Sequence, residues 1–167
     1  MAITKDDQLK WNKPNGKTKR TKTNKTKKPS RKSLIRRADN TCKLYIKEKY
    51  KWRCVTCGRE QGDVTMSWGH LKTSGSYITR WNEYNLACQC IPCNGKHEYD
   101  DYPYNAWFIK TYGISKWHEL NFMFNHSRPI KDWEIIMIAE YYEKKLKCLG
   151  TDKKVSIPEE IKLLVTL

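Results

Sequence analysis

The sequence predicts an α+β fold: a small zinc-stapled core with flanking helices, preceded by a disordered, basic N-terminal tail. Three observations predict it. Cys54, Cys57, Cys90 and Cys93 form two C-x-x-C pairs, apolar residues recur at helical spacing on either side of them, and Lys and Arg crowd the chain before residue 38. A chain of 167 residues holds one compact domain plus a tail, because a self-sufficient core needs on the order of 100–150 residues. The expected divisions are a tail over 1–32, a zinc-containing domain over 33–150, and a C-terminal tail or short helix over 151–167.

Each element has its own signal. Residues 1–37 hold 14 Lys and Arg against Asp6 and Asp7, so +12 of the formal net charge of +15 sits there. The segment KPNGKTKRTKTNKTKKPSRK (13–32) has no apolar residues to offset the entropy of ordering, so it is expected to be disordered when free. From Ser33, Leu34, Ala38, Cys42, Tyr45, Ile46 and Tyr50 recur at spacings of three and four, which predicts a helix near 33–50. Loops and a hairpin are expected from Cys54 to Gly75, then a short strand over Ser76–Trp81 (SYITRW), suggested by its β-branched and aromatic residues Tyr77, Ile78, Thr79 and Trp81. NGKHEYDD after Cys93 predicts a short helix, and Pro103 opens another that runs to Gly113. The longest helix is expected over 132–149, with Asp132 at its start, Lys144, Lys145 and Lys147 near its end and Gly150 beyond. Trp68, Trp81, Trp107, Trp117 and Trp133 read as core, because small metal-stapled domains fill a thin interior with large side chains.

Composition excludes whole classes. Mean hydropathy is −0.86, no apolar run approaches the roughly 20 residues of a membrane span, and the first residues lack the apolar stretch expected of a signal peptide. A soluble, non-exported, cytoplasmic protein with no membrane partner is expected. Excess cationic charge implies a polyanionic partner. The tail then reads as a phosphate-binding arm rather than a solubilising one.

Seven cysteines in a non-exported chain point to metal or free thiols rather than disulfides. Cys54-Val-Thr-Cys57 and Cys90-Ile-Pro-Cys93 supply the four thiolates of a tetrahedral structural Zn²⁺. Cys88 competes for a ligand position in C-x-C-x-x-C, but knuckle spacing favours Cys90. Cys42 and Cys148 read as buried thiols on helix faces.

Between the knuckles lies His70, in WGHLK; Asn85 follows in YNLACQC, and Asn94 and His97 follow the second knuckle. A single His or Asn usually does no more than make local hydrogen bonds. The order His…Asn…His wrapped around paired cysteines, however, resembles the HNH endonucleases, whose core is a ββα-metal unit. That resemblance makes His70 the base that takes a proton from the attacking water, a role that suits a side chain whose ordinary pKa is about 6.5. It gives Asn85 the task of securing the hairpin. Asn94 and His97, three apart on a helix, become ligands of a catalytic Mg²⁺ or Mn²⁺. Many HNH enzymes carry an Asp, Glu or His directly before the base as a further metal ligand, whereas here Gly69 stands there. Asp100, Asp101, water or the substrate phosphate would have to replace it. His118 and His126 lack any such context and read as structural or surface residues.

A closer resemblance runs through SLIRRADNTCKLYIKEKYKWRCVTCG, WGHLKTSG, RWNEYNLACQCIPCNGKH and YPYNAWFIKTYG, from Ser33 to Gly113. These segments resemble the phage recombination proteins called NinG or Rap, in which a glycine also precedes the histidine. The resemblance implies a structure-specific endodeoxyribonuclease that hydrolyses branched DNA such as Holliday junctions and D-loops. It also implies a bacterial host, other phage recombination proteins as partners, and a homodimer to place two active sites on one junction. Two other readings compete: an HNH enzyme that cuts or nicks duplex DNA at a sequence, and a non-catalytic zinc-ribbon module that binds DNA. The absence of a separate recognition helix leans toward shape rather than sequence.

Overall fold

The computed structural model describes residues 28–166, so the expectation for the tail lies, apart from its last few residues, outside the described residues. Helix α1 spans Arg31–Lys49, two residues earlier than expected, because Ser30 caps it and its Oγ accepts from the Ser33 N–H at 3.3 Å. Its buried face is Leu34, Ala38, Cys42, Tyr45 and Ile46. It packs along α5 (Asp132–Cys148), which buries Ile135, Ile138, Ala139, Tyr141 and Tyr142 against it. Arg37 clamps Glu143 with two hydrogen bonds of 2.8 and 2.9 Å, and Arg31 pairs with Asp132. At 19 residues against 17, α1 is the longer helix. This corrects the expectation for the C-terminal one, whose Leu149 leaves the helix in an extended conformation.

Strands β1 (Met66–His70) and β2 (Leu86–Cys90) pair antiparallel, with Trp68 opposite Cys88 and His70 opposite Leu86. The expected strand over Ser76–Trp81 is absent. Its backbone instead closes successive three-residue turns, Ser76 N–H to Thr73, Thr79 N–H to Ser76 and Asn82 N–H to Thr79. Ile78 and Trp81, three apart, both face the main core. A period of three sends both side chains inward where the period of a strand would have separated them. Helix α2 (Ile91–Lys96) follows β2 without a loop and has Pro92 in its first turn. It therefore starts and stops earlier than NGKHEYDD implied, with His97 as its C-cap.

Helix α3 (Tyr102–Tyr112) ends at Gly113, whose φ of +86° turns the chain directly into α4 (Ile114–Asn125). Helix α4 has no clear amphipathic stripe: Leu120 is its one buried residue, while Phe122 is exposed. Nothing in its pattern had announced it. The second core joins Leu120 to Leu71, Ala87, Tyr104 and Phe108. After α5, a short 3₁₀ turn (Glu159–Ile161) and α6 (Lys162–Val165) return Ile161, Leu164 and Val165 to the main core. Glu83 ties these parts together: it accepts hydrogen bonds from Tyr45 and Lys49 of α1 and from Tyr141, lies 3.2 Å from Lys145 of α5, and its N–H donates to Val165. Trp81 is fully buried, but Trp133 is 45 % exposed on α5, contrary to its expected place in the core. Among the described residues no helix is long and apolar enough to cross a membrane.

Candidate functional site

The four knuckle cysteines come together. All four Sγ atoms lie within 4.8 Å of one another, and Cys57 and Cys90 are 3.7 Å apart at sulfur. A disulfide needs about 2.05 Å, whereas sulfurs bound tetrahedrally to zinc at about 2.3 Å stand about 3.8 Å apart. The donor set and its spacing fit a structural Zn²⁺. The first knuckle is a tight turn: Gly58 N–H donates to Cys54 C=O, Cys54 N–H donates to Arg59 C=O, and Gly58 takes a φ of +77°. Burial alone would raise the Cys57 thiol, but hydrogen bonds from Arg59 and neighbouring cysteines bring it down to about 6, favouring the thiolate that a metal requires. Cys88 is fully buried but stands outside this cluster. Cys42 is buried and Cys148 half-buried, each with a free thiol.

The second knuckle does more than close the metal site. Cys90 ends β2 and Cys93 lies in α2, so an ion held by the four sulfurs would tie the hairpin to the helix. Asn94 and His97 follow Cys93 directly, and both line an open cleft of about 560 Å³ that also takes in Trp68, His70 and Arg80. The sequence separates His70 from Asn94 and His97 by more than twenty residues, and the fold returns them to one wall.

His70 is held from one side. Its Nε2–H donates to the carbonyl of Arg80 at 3.1 Å, which leaves Nδ1 as the acceptor. The Trp68 ring lies against it at 4.5 Å. Burial holds its pKa down to about 4, against the pull of the Arg80 carbonyl, so the ring is neutral at physiological pH. Arg80 is itself fixed: its guanidinium makes two bonds to the Asp39 carboxylate of α1 at 2.9 and 2.8 Å, and Asp39 also accepts from Trp81 Nε1 at 3.0 Å. Asp39 and Arg80 were not legible as site residues, because the pair forms across 41 positions of chain.

Asn85 does not line the cleft. It is fully buried, its Oδ1 accepts from Lys72 N–H at 2.6 Å, and its Nδ2 donates to the carbonyls of Lys72 and Thr79 at 2.9 and 3.0 Å. Those bonds fasten both ends of the segment that carries the Arg80 carbonyl to His70. Asn85 is a positioning residue.

Gly69 has a tertiary reason. A Cβ there would fall 1.9 Å from Gln89 Oε1, so the Gln89 side chain fills the space of a side chain at position 69. Asp100 lies beside His97 in a second, smaller cavity, whereas Asp101 is exposed at the start of α3. His118 and His126 are not part of either cavity. The cleft lining sets Lys43 and Arg80 against Asp39 and Glu98, of which Arg80 and Asp39 form an ion pair. Its charge is balanced, and a bound cation would make it attractive to phosphate.

Residues 2–152 match the protein family described as Bacteriophage Lambda NinG protein. No curated protein and no solved structure matches the chain.

Proposed function

The chain belongs to the NinG family of bacteriophage proteins, and from that membership we propose that it is an HNH-type, metal-dependent endonuclease that cuts branched DNA such as Holliday junctions and D-loops. The observation that carries this reading is the convergence of His70, Asn94 and His97 on one open cleft, on a hairpin and helix joined by the cysteine cluster. In this reading a water attacks phosphorus, its proton passes to His70 Nδ1, and the 3′ oxygen leaves. The Arg80 carbonyl keeps the imidazole in the accepting tautomer and orients it. An approaching phosphate raises the proton affinity of a ring that is otherwise held neutral. Asn94 and His97 would hold Mg²⁺ or Mn²⁺, which when bound neutralises charge on the scissile phosphate and the departing oxygen. Symmetric cutting of a four-way junction calls for two active sites, so the reading includes a homodimer on DNA.

The test incubates unmodified protein and His70→Ala with Mg²⁺ or Mn²⁺ on a synthetic four-way junction, a matched linear duplex and a plasmid. Cleavage confined to the junction is expected, falling by about 10²–10⁴-fold in His70→Ala. Duplex cut at one sequence would replace this reading with a sequence-specific or nicking enzyme. DNA binding without cleavage in either metal would leave a zinc-ribbon binding module, and full activity in His70→Ala would remove the assigned base.

A further inference from the structure

The small cavity between β2, α2 and α3 holds two buried polar atoms, one of them the His97 nitrogen that is left for the proposed metal and the other, on Gln89, given no part in that chemistry. In the hairpin register Ser67 pairs with Gln89 and Gly69 with Ala87, so Gly69 and Gln89 share a face, opposite that of Trp68 and His70. Gln89 is fully buried, and its Nε2 donates to Thr56 Oγ1 at 2.8 Å. Its Oε1 is buried and has no hydrogen-bond partner among the described residues. His97 repeats the pattern. Its Nε2–H donates to the Leu71 carbonyl at 3.4 Å, so Nδ1 is a bare lone pair, also buried and also without a partner among the described residues. Both side chains line one cavity of about 120 Å³, together with Thr56 and Asp100.

Two acceptors cannot satisfy each other, and each is destabilising if left bare. They call for a donor or a cation. An amide oxygen, an imidazole nitrogen and a nearby carboxylate are a mixed donor set that a divalent cation such as Mn²⁺ accepts more readily than the oxygen-seeking Mg²⁺. We propose that Gln89 Oε1 and His97 Nδ1, with the Asp100 carboxylate, form a divalent-cation site in this cavity, Gln89 supplying from β2 the ligand that Gly69 cannot. The coincidence at position 69 follows: the Gln89 carboxamide lies where an acidic or histidine side chain on β1 would lie, so a glycine there is what leaves room for it. Lys96 stands 3.7 Å from one Asp100 oxygen, and the other accepts from Tyr102 N–H at 3.3 Å, so the carboxylate is already held in place beside the cavity. The catalytic use of the ion rests on the nuclease reading, but its binding does not. A water donating to both bare atoms is the competing occupant.

The test titrates Mn²⁺ into the full-length, zinc-loaded protein without DNA and follows free Mn²⁺ by electron paramagnetic resonance. One Mn²⁺ per chain is expected beyond the zinc. Gln89→Leu should weaken it by about 10–100-fold, Gln89→Glu should tighten it by about tenfold, and Gly69→Asp combined with Gln89→Ala should recover it. Pulsed spectra of the bound ion should show nitrogen-14 coupling that disappears in His97→Ala. Gln89 adjoins a zinc ligand, so zinc content and thermal midpoint are measured for every variant. If Gln89→Leu fails to fold, the isosteric Gln89→Glu decides the question. Unchanged affinity in Gln89→Glu, or no nitrogen coupling, would overturn the site and leave a buried water. Junction cleavage with Gln89-independent Mn²⁺ binding would remove this site and keep the nuclease. Gln89-dependent binding without cleavage would do the reverse.

Discussion

His70 and Asn85 show how a residue type becomes a role only through its partners. The neutral imidazole of His70 follows from its burial, and it has a consequence for stability. Its folded pKa of about 4 lies below the ordinary value, so the unfolded chain binds a proton between the two where the native chain does not. That contribution is complete above about pH 6.5, is lost as pH falls toward 4, and amounts to about 3 kcal/mol at most. Thermal midpoints measured from pH 7 to 4 should therefore fall less steeply in His70→Gln than in unmodified protein, and equal slopes would contradict the neutral, buried ring. Asn85 satisfies three backbone groups from a fully buried position. Asn85→Ala leaves them bare and should cost about 2–4 kcal/mol in urea unfolding. A change below about 0.5 kcal/mol, the range of an ordinary surface substitution, would show that the loop closes without it.

Among the elements, the hairpin and α2 form the unit that presents the cleft; Leu86 and Trp68 seat it on the main core and Ala87 on the second, but no large core reaches its knuckle end. Its interior is the small cluster of Cys54, Met66, Cys88 and Cys90, and a metal at the four thiolates supplies what that cluster lacks. The α1 and α5 pair has its own core of Leu34, Ile46, Ile135, Ile138 and Tyr142. Chelation should therefore act unevenly. A strong chelator is expected to lower the thermal midpoint and abolish the near-ultraviolet signal around Trp52 and Trp68, while most far-ultraviolet helical signal from α1 and α5 persists. Loss of activity with both signals intact would mean that the four cysteines do not support the fold.

For the whole molecule, charge is distributed against the site: residues 1–37 carry +12 of the +15, whereas the cleft pairs its cations with acids. Removing residues 1–27 should then flatten the slope of log DNA affinity against log salt, by roughly 0.9 for each phosphate that the arm neutralises. An unchanged slope would place the phosphate-binding cations on the folded domain. Local spacing and composition were enough to reveal the four clustered cysteines, the helices flanking them and the basic bias of the first residues, and the resemblance of whole segments pointed to the family. They named His70, Asn94 and His97 by order along the chain. Packing settled the rest. Ser76–Trp81 turns instead of extending, since the core that receives Ile78 and Trp81 is assembled by α1, α5 and the C-terminal turn. Asn85 supports the cleft without lining it, Asp39 anchors Arg80, and Gln89 takes the space Gly69 leaves. Most of those relations join residues far apart along the chain, and a pattern read in one dimension carries no distance between side chains that only folding brings together.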